Sequence, residues 1–240
     1  MRFAIFGDIH ANLEALQAVL ADAKDRGCTH HVCIGDVVGY NANPHECVRI
    51  IRELGCPVVK GNHDEQAHMA DSLDNFNPLA EVAIQWTRNH LTDEDKQWLC
   101  SLRLIRQVRD FSIVHATLDT PHQWGYVFNQ LDAAASFNYQ YTNLCFYGHT
   151  HAPRAYVRDT TVHSVPLDIL PIEAGKKYFI NVGSVGQPRD GDWHASYCIY
   201  HPDKNYVELR RIEYDIYTAQ DKVVEAGLPQ RLADRLALGN

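Results

Sequence analysis

The 240-residue chain has no C-x-x-C pair, although it carries seven cysteines, at positions 28, 33, 47, 56, 100, 145 and 198. An odd number at irregular spacing suggests neither a disulfide framework nor a thiolate zinc site. The expected state is reduced, mostly buried thiols in a cytoplasmic protein. No apolar run approaches the ~20 residues that a membrane helix needs. Residues 1–6 hold one basic side chain and a short apolar run, too little for a signal peptide. Basic residues are the minority, 22 Lys+Arg against 30 Asp+Glu for a formal net charge of −8. That argues against nonspecific nucleic-acid or anionic-membrane binding, both of which need a basic face. It leaves room for a small positive pocket, particularly one built by metal ions. Internal repeats and low-complexity linkers are also lacking, so residues 1–240 are expected to form a single domain. Hydrophobic content of 45% and charged content of 22% are enough for a sizeable core.

What is present begins with short apolar runs that end in polar residues. Residues 3–6 read as a buried strand ending in Gly7-Asp8, and residues 32–34 as another ending in Gly35-Asp36. Residues 57–59 form a third that runs into Lys60-Gly61-Asn62-His63-Asp64. Between them lie two helices, one opened by Asn12 with Leu13, Leu16, Leu20 and Ala23 at helical spacing. The other starts at Asn43-Pro44 and buries Cys47, Ile50, Ile51 and Leu54. Strand, helix, strand, helix, strand favours parallel pairing with right-handed crossovers. In open α/β sheets, ligands sit beyond the carboxyl ends of the strands.

Residues 65–105 read as a helical insertion over or beside that edge, with starts at Asn77-Pro78 and at a Thr92/Asp95 capping box. Strands at 111–114 and before Gly148 follow, the first ending in His115, with a short helix around 130–137 between them. After Pro153 the pattern turns to alternation, with strands expected at 155–157, 161–165, 178–182, 195–200 and 206–212. These suggest a second, largely antiparallel sheet packed on the first, and an α/β fold with helices outside. Two helices close the chain at about 216–238. Leu228, Leu232 and Leu236 form an apolar stripe there, for packing on the body or on a second subunit; the oligomeric state stays open.

The strand ends collect Asp8, His10, Asp36, Asn62, His63, His115, His149 and His151. Burying one polar group without a partner costs roughly 2–7 kcal/mol, so a chance cluster is implausible. His149 and His151 lie two residues apart at a strand end and can converge on one centre or on two neighbouring ones. Carboxylate, imidazole and amide oxygens together suit divalent Mn, Fe, Ni or Zn, and seven ligands exceed what one tetrahedral site uses. Arg189 follows a Gly-Gln-Pro turn and offers a planar fork to a phosphate, or else a surface salt bridge. Asn12 is either the helix cap or a hydrogen bonder near the site. Trp124 and Tyr126 could stack on a base or aryl group, or pack. The remaining histidines read as ordinary, and His194 is left open.

Gly7-Asp8-Ile9-His10, Gly35-Asp36, Gly61-Asn62-His63-Asp64, Val114-His115 and Gly148-His149-Thr150-His151 resemble, in order and spacing, the five signature blocks of the calcineurin-like metallophosphoesterases. Asn181-Val182-Gly183-Ser184-Val185-Gly186-Gln187-Pro188-Arg189-Asp190 is similar to the motif of a narrower bacterial and archaeal branch. That branch is described as phosphodiesterase-like or diadenosine tetraphosphatase-like. The resemblance covers about residues 1–200, and the segment Asp192-Trp193-His194 departs from it. It implies a four-layer β-sandwich of two mixed sheets flanked by helices and a cofactor of two divalent transition-metal ions, manganese first, with iron, nickel or zinc as alternatives. Asp8, His10 and His151 would hold the first metal, Asn62, His115 and His149 the second, and Asp36 would bridge. His63 would stabilise the transition state or protonate the leaving group, with Asp64 orienting it. From their own chemistry rather than from the resemblance, Arg189 and Asn12 are the candidates to touch the substrate.

The implied activity is hydrolysis of a small phosphodiester or phosphomonoester, such as a nucleotide, by a metal-bridging hydroxide. A Ser/Thr phosphoprotein phosphatase, and a non-catalytic binding module on the same fold, are the alternatives.

Overall fold

Alternation along the first strand sets the layering of the whole chain. In β1 (Phe3–Phe6), Phe3 and Ile5 pack into one apolar cluster while Ala4 and Phe6 pack into another on the opposite face. A strand buried on both faces needs cover on both, and this one receives helices on one side and a second sheet on the other. The computed structural model describes residues 1–69, 73 and 77–240. Positions 70–72 and 74–76 of the expected helical block lie outside the described residues.

The first sheet joins β1 to β2 (His30–Cys33) in parallel, with Phe3 opposite His30. The second sheet contains β3 (Ile105–Val108), β4 (Phe111–Val114) and β5 (Leu144–Tyr147), the last two parallel to each other. Beyond Pro153 come β6 (Arg154–Arg158), β7 (Val162–Val165), β8 (Ile169–Pro171), β9 (Lys177–Asn181), β10 (Ala195–His201) and β11 (Tyr206–Ile212). The sheet orders are β2-β1-β10-β11-β8 and β3-β4-β5-β9-β6-β7.

This corrects the expectation of one sheet before Pro153 and another after it. Later strands extend both sheets, because each early strand pair is apolar on two faces and neither can cover the other alone. Residues 57–59 do not form a full third strand either; Val58 and Val59 make only isolated bridges to Cys33 and Arg103. Pro57 has no N–H to donate to a ladder, and the chain turns away at Gly61.

Helices close the outer layers. α1 (Leu13–Asp25) and α2 (Pro44–Leu54) pack on the first sheet. α3 (Asn62–His68), α4 (Pro78–His90) and α5 (Asp93–Ser101) make up the helical block, with the Thr92/Asp95 capping box in place. α6 (Gln130–Tyr139) lies against the second sheet through Ala133 and Phe137. Between the sheets sit Phe3, Ile5, Phe111, Phe146, Ile180 and Tyr200. The fold is therefore two mixed sheets flanked by helices. α7 (Ile216–Glu225) and α8 (Gln230–Leu238) complete the chain. Leu228, Leu232 and Leu236 are all buried against the body, Leu228 and Leu232 with Tyr40, Ala80 and Ala83. All seven cysteines are free, Cys33, Cys47, Cys145 and Cys198 of them buried. No helix among the described residues is long and apolar enough to cross a membrane.

Candidate metal centre

The carboxyl ends of β1, β2, β4, β5 and β9 meet at one edge between the two sheets, and main-chain bonds lock the loops there together. Asp8 N–H donates to Gly35 O at 2.9 Å, His10 N–H to Asp36 O at 2.9 Å, and Gly148 N–H to His115 O at 2.9 Å. Gly186 N–H donates to Asp8 O at 2.9 Å, which brings the loop after β9 against the loop after β1. Close approach is enforced by glycine. A Cβ on Gly148 would lie 2.2 Å from Asp8 Oδ2, and one on Gly61 would lie 2.0 Å from Asp36 Oδ1.

Backbone strain concentrates here. Asp8, His10, Asp36, His149 and His151 have φ of 47°, 48°, 50°, 67° and 58°. Such left-handed conformations cost of order 1–3 kcal/mol each and persist where surrounding contacts over-determine them. Their effect is to turn alternate side chains out of the strand direction and into one buried space.

The histidine tautomers follow from their carbonyl partners, since a carbonyl can only accept. His10 Nδ1 faces Val38 O at 3.1 Å, His115 Nδ1 faces Ile34 O at 2.9 Å and His151 Nδ1 faces Gln187 O at 2.6 Å. Those nitrogens carry hydrogen, which leaves each Nε2, once unprotonated, as a lone pair directed inward. His149 is reversed: its Nε2–H faces Trp124 O at 2.9 Å, so Nδ1 carries the free lone pair.

Two groups of ligand atoms result, each with all members within 4.8 Å of one another: Asp8, His10, Asp36 and His151, then Asp36, His115 and His149. Asp36 belongs to both, its Oδ2 standing 3.6 Å from His10 Nε2 and 3.3 Å from His115 Nε2. Asn62 is buried beside them, and its Oδ1 finds no hydrogen-bond partner among the described residues. An amide oxygen held this way, with imidazole lone pairs and two carboxylates, fits a pair of divalent cations.

Electrostatics agree with that donor set. Burial lowers His149 to about 3 and His63 to about 4, and also lowers His10 and His151, so these rings are neutral and able to ligate. Burial also pulls His115 down. The charge of Asp36, its hydrogen bond and the charge of Asp8 outweigh that and push His115 up to about 10.

His63 lies at the edge of the group, its ring centroid 4.7 Å from that of His10 and 4.4 Å from that of Tyr40. Its main-chain N–H donates to Asp36 Oδ1 at 2.8 Å. Asp64, expected to orient His63, directs its carboxylate elsewhere. It accepts from the amides of Asp36 at 2.8 Å, Val37 at 2.8 Å, Val38 at 3.4 Å and Gly61 at 3.0 Å. Asp64 thereby clamps the loop after β2 onto the start of α3. Burial and the Asp36 carboxylate push its pKa up to about 7 against the pull of those amides.

Asn12 caps α1, accepting from Ala15 N–H at 3.1 Å, and donates to Gly186 O at 3.1 Å. Its side chain is spent on the scaffold and does not line the cavity. Arg189 does line it; Nε and Nη2 hold Gln187 Oε1 at 3.2 and 2.7 Å, and the guanidinium lies 5.6 Å from the Tyr40 ring centroid. His194 pairs with Asp192 at 2.5 Å and lies outside the cavity lining.

The cavity over the ligand groups is about 210 Å³ and includes Tyr40, Trp124, Tyr126 and Ala80 in its wall. Tyr126 stacks on the His149 ring at 4.2 Å and on Phe128 at 5.3 Å, with half of Tyr126 exposed. Trp124 Nε1–H donates to Glu65 Oε2 at 3.2 Å, so Trp124 packs against α3 as well as facing the cavity.

Sequence reasoning missed Tyr40, which gives no signal in the loop where it lies. It also missed the supporting contacts of Asn181 and Ser184, although the stretch after β9 stood out as a motif. Asn181 Nδ2–H donates to Gly148 O at 2.7 Å, and Ser184 Oγ–H to Asp8 O at 2.8 Å.

Comparison with known proteins agrees with this geometry. The model of the calcineurin-like phosphoesterase superfamily domain matches residues 1–205. The chain belongs to the calcineurin-like phosphoesterase superfamily. It is 42% identical to the protein MJ0912 of Methanocaldococcus jannaschii, over 98% of this chain and 97% of that one. It is 41% identical to a metallophosphoesterase from Sphaerobacter thermophilus, whose crystal structure superposes with a TM-score of 0.88 over 100% of this chain and 99% of that one. Protein PH1004 of Pyrococcus horikoshii shares the fold at 17% identity, with a TM-score of 0.80 over 100% of this chain and 98% of that one.

Proposed function

We propose that the chain is a binuclear metal-dependent phosphoesterase acting on small substrates, with phosphodiesters ahead of phosphomonoesters. The observation that carries this reading is the sharing of Asp36 between two ligand groups, one containing His10 and His151 and the other His115 and His149. Asp8, His10 and His151 would hold one cation, and Asn62, His115 and His149 the other. Manganese is the first candidate, with iron, nickel or zinc behind it. When bound, two such cations polarise a phosphoryl group and bring the pKa of a water toward neutrality.

The protein's own groups do the rest. Arg189 offers its guanidinium to the non-bridging oxygens of the phosphate, held in place by Gln187 and Tyr40. His63, whose pKa is about 4, acts as a neutral N–H donor to the phosphate or leaving group more readily than as an imidazolium. Tyr126 and Trp124 shield the site and present a ring face to the ester group. Asp64 and Asn12 position backbone.

A cavity of about 210 Å³ supports a small ester over a folded phosphoprotein. The complete ligand set and His63 support catalysis over a binding module that has lost it. Residues 1–240 are taken as a single domain, and the seven free thiols support a cytoplasmic setting. Assays with manganese on bis-p-nitrophenyl phosphate and p-nitrophenyl phosphate test the reading, the diester being the expected better substrate. Inactivity on both with metal bound overturns it.

A further inference from the structure

Tyr40 adopts a backbone conformation that is rare for a bulky residue, and it does so in the wall of the metal cavity. Its φ is 61°, directly after Gly39 at 97°. Glycine or asparagine would make that turn with less strain, so the outlier calls for a use of this particular side chain. Neighbouring bonds hold the turn in place. Asn41 donates its main-chain N–H to His10 O at 3.2 Å and its Nδ2–H to the same oxygen at 2.8 Å, and Asn43 N–H donates to Ala11 O at 3.0 Å. A Cβ on Gly39 would lie 2.3 Å from His63 Nδ1, so the loop passes His63 at a distance that only glycine permits.

The ring itself is held by packing. Its centroid is 4.7 Å from that of His10 and 4.4 Å from that of His63, and the Arg189 guanidinium lies 5.6 Å from it. It also belongs to an apolar cluster with Ala83 of α4, Val223 of α7, Leu228 and Leu232 of α8. Those contacts give the ring one position and the hydroxyl with it. The hydroxyl adds nothing to the apolar packing, which a phenylalanine would supply equally well. A phenol of ordinary pKa near 10 is protonated at neutral pH, and burial raises Tyr40 further against the pull of the Arg189 charge. Guanidinium has five N–H donors and no lone pair, so toward Arg189 the phenol oxygen can only accept. Its own hydrogen is left to donate within the cavity that Tyr40 and Arg189 line together.

We infer that Tyr40 is a further catalytic residue, whose O–H donates to a non-bridging oxygen of the phosphoryl group that Arg189 receives. The inference rests on reading the metal cavity as the place where a phosphoester is hydrolysed. The proton stays on the phenol throughout; a hydrogen bond forms and no bond to hydrogen breaks. A fixed donor of this kind gains strength as negative charge gathers on the oxygen, so it acts on turnover more than on binding. The C-terminal helices then serve the site by holding this ring.

The test compares wild type with Tyr40→Phe, which keeps the ring and its packing. Manganese content by elemental analysis and melting temperature should match. Calorimetric titration of the manganese-loaded full chain with orthophosphate should show about tenfold weaker binding by the variant, the value of one hydrogen bond to a charged group. On bis-p-nitrophenyl phosphate, kcat should fall by about 100-fold, the scale of one lost oxyanion donor. A role confined to packing leaves affinity and kcat unchanged, and either result overturns the assignment, as does a loss that accompanies lost manganese. Failure of the wild type on the diester would remove the phosphoesterase reading. The orthophosphate titration would then decide on Tyr40 by itself, and equal affinities would end the proposal.

Discussion

His10 and His151 bring their Nε2 atoms to 3.0 Å of one another while each spends its Nδ1–H on a carbonyl, Val38 O and Gln187 O respectively. Two neutral imidazoles arranged this way present two lone pairs face to face, which is repulsive unless a cation lies between them. Burial lowers both pKa values, so a proton is a poor candidate for that cation. Such a pair could hold a metal, with Asp8 Oδ1 3.2 Å from His151 Nε2 completing the group. Replacing His151 or His10 with Ala should reduce bound metal by about one equivalent per chain by elemental analysis. His63→Ala should leave metal content intact while lowering turnover by about 100-fold or more. Loss of metal from the His63 variant would break the division between ligand and catalyst.

The acid side of the stability profile follows from the same rings. His63 and His149 have folded pKa values of about 4 and about 3, below the ordinary value of 6.5. The unfolded chain takes up protons as pH falls through 6.5 and the folded chain does not, so stability is lost on acidification toward pH 4. Each group contributes a slope of about 1.4 kcal/mol per pH unit inside its window. His115, pushed up to about 10, acts in the opposite sense in metal-free protein: its contribution is present below 6.5 and lost as pH rises through 10. Urea midpoints of metal-stripped protein at pH 7 and pH 5 check the acid limb. Asp64, pushed up to about 7, acts in the opposite sense between pH 7 and 4, so the check is made on metal-stripped Asp64→Asn, where a midpoint unchanged at pH 5 contradicts the acid limb.

Much of this site could be read in the sequence because its candidate ligands end strands. Asp8, Asp36, His115 and His149 follow short apolar runs whose strand character is local, so their gathering at one edge follows from parallel pairing. The partition of strands between sheets was not legible. β10 lies beside β1 across the whole chain, and nothing near Ala195 in sequence indicates that pairing. Tyr40 was hidden for the same reason, since it becomes a cavity wall only when Leu228 and Leu232 pack behind it. The Asp64 carboxylate accepts from four amides of the neighbouring loops, since adjacency to His63 in sequence does not put their side chains together on α3.

That difference makes Asp64→Asn informative. A carboxamide keeps the shape but offers one acceptor oxygen to the four amides of Asp36, Val37, Val38 and Gly61. Leaving buried N–H donors unpaired costs about 1–3 kcal/mol, which in a chain of this size lowers the melting temperature by roughly 2–12 °C. An orienting role would instead lower kcat at unchanged melting temperature.

Gly148 tests whether the centre depends on contact distances of a few tenths of an ångström. Its absent Cβ would stand 2.2 Å from Asp8 Oδ2 and 2.9 Å from Ile34 Cδ1, and Asp8 is further held by the His149 amide at 3.0 Å. Gly148→Ala must push the carboxylate, and with it one ligand of the His10–His151 group. The first equivalent of manganese should weaken by about tenfold or more in a titration followed by calorimetry, the scale seen when a ligand loses its support. The group containing His115 and His149 should change less, since the nearest atoms to the new methyl outside its chain neighbours belong to Asp8 and Ile34. Uniform loss of both metals would mean that the two groups cannot be loaded separately.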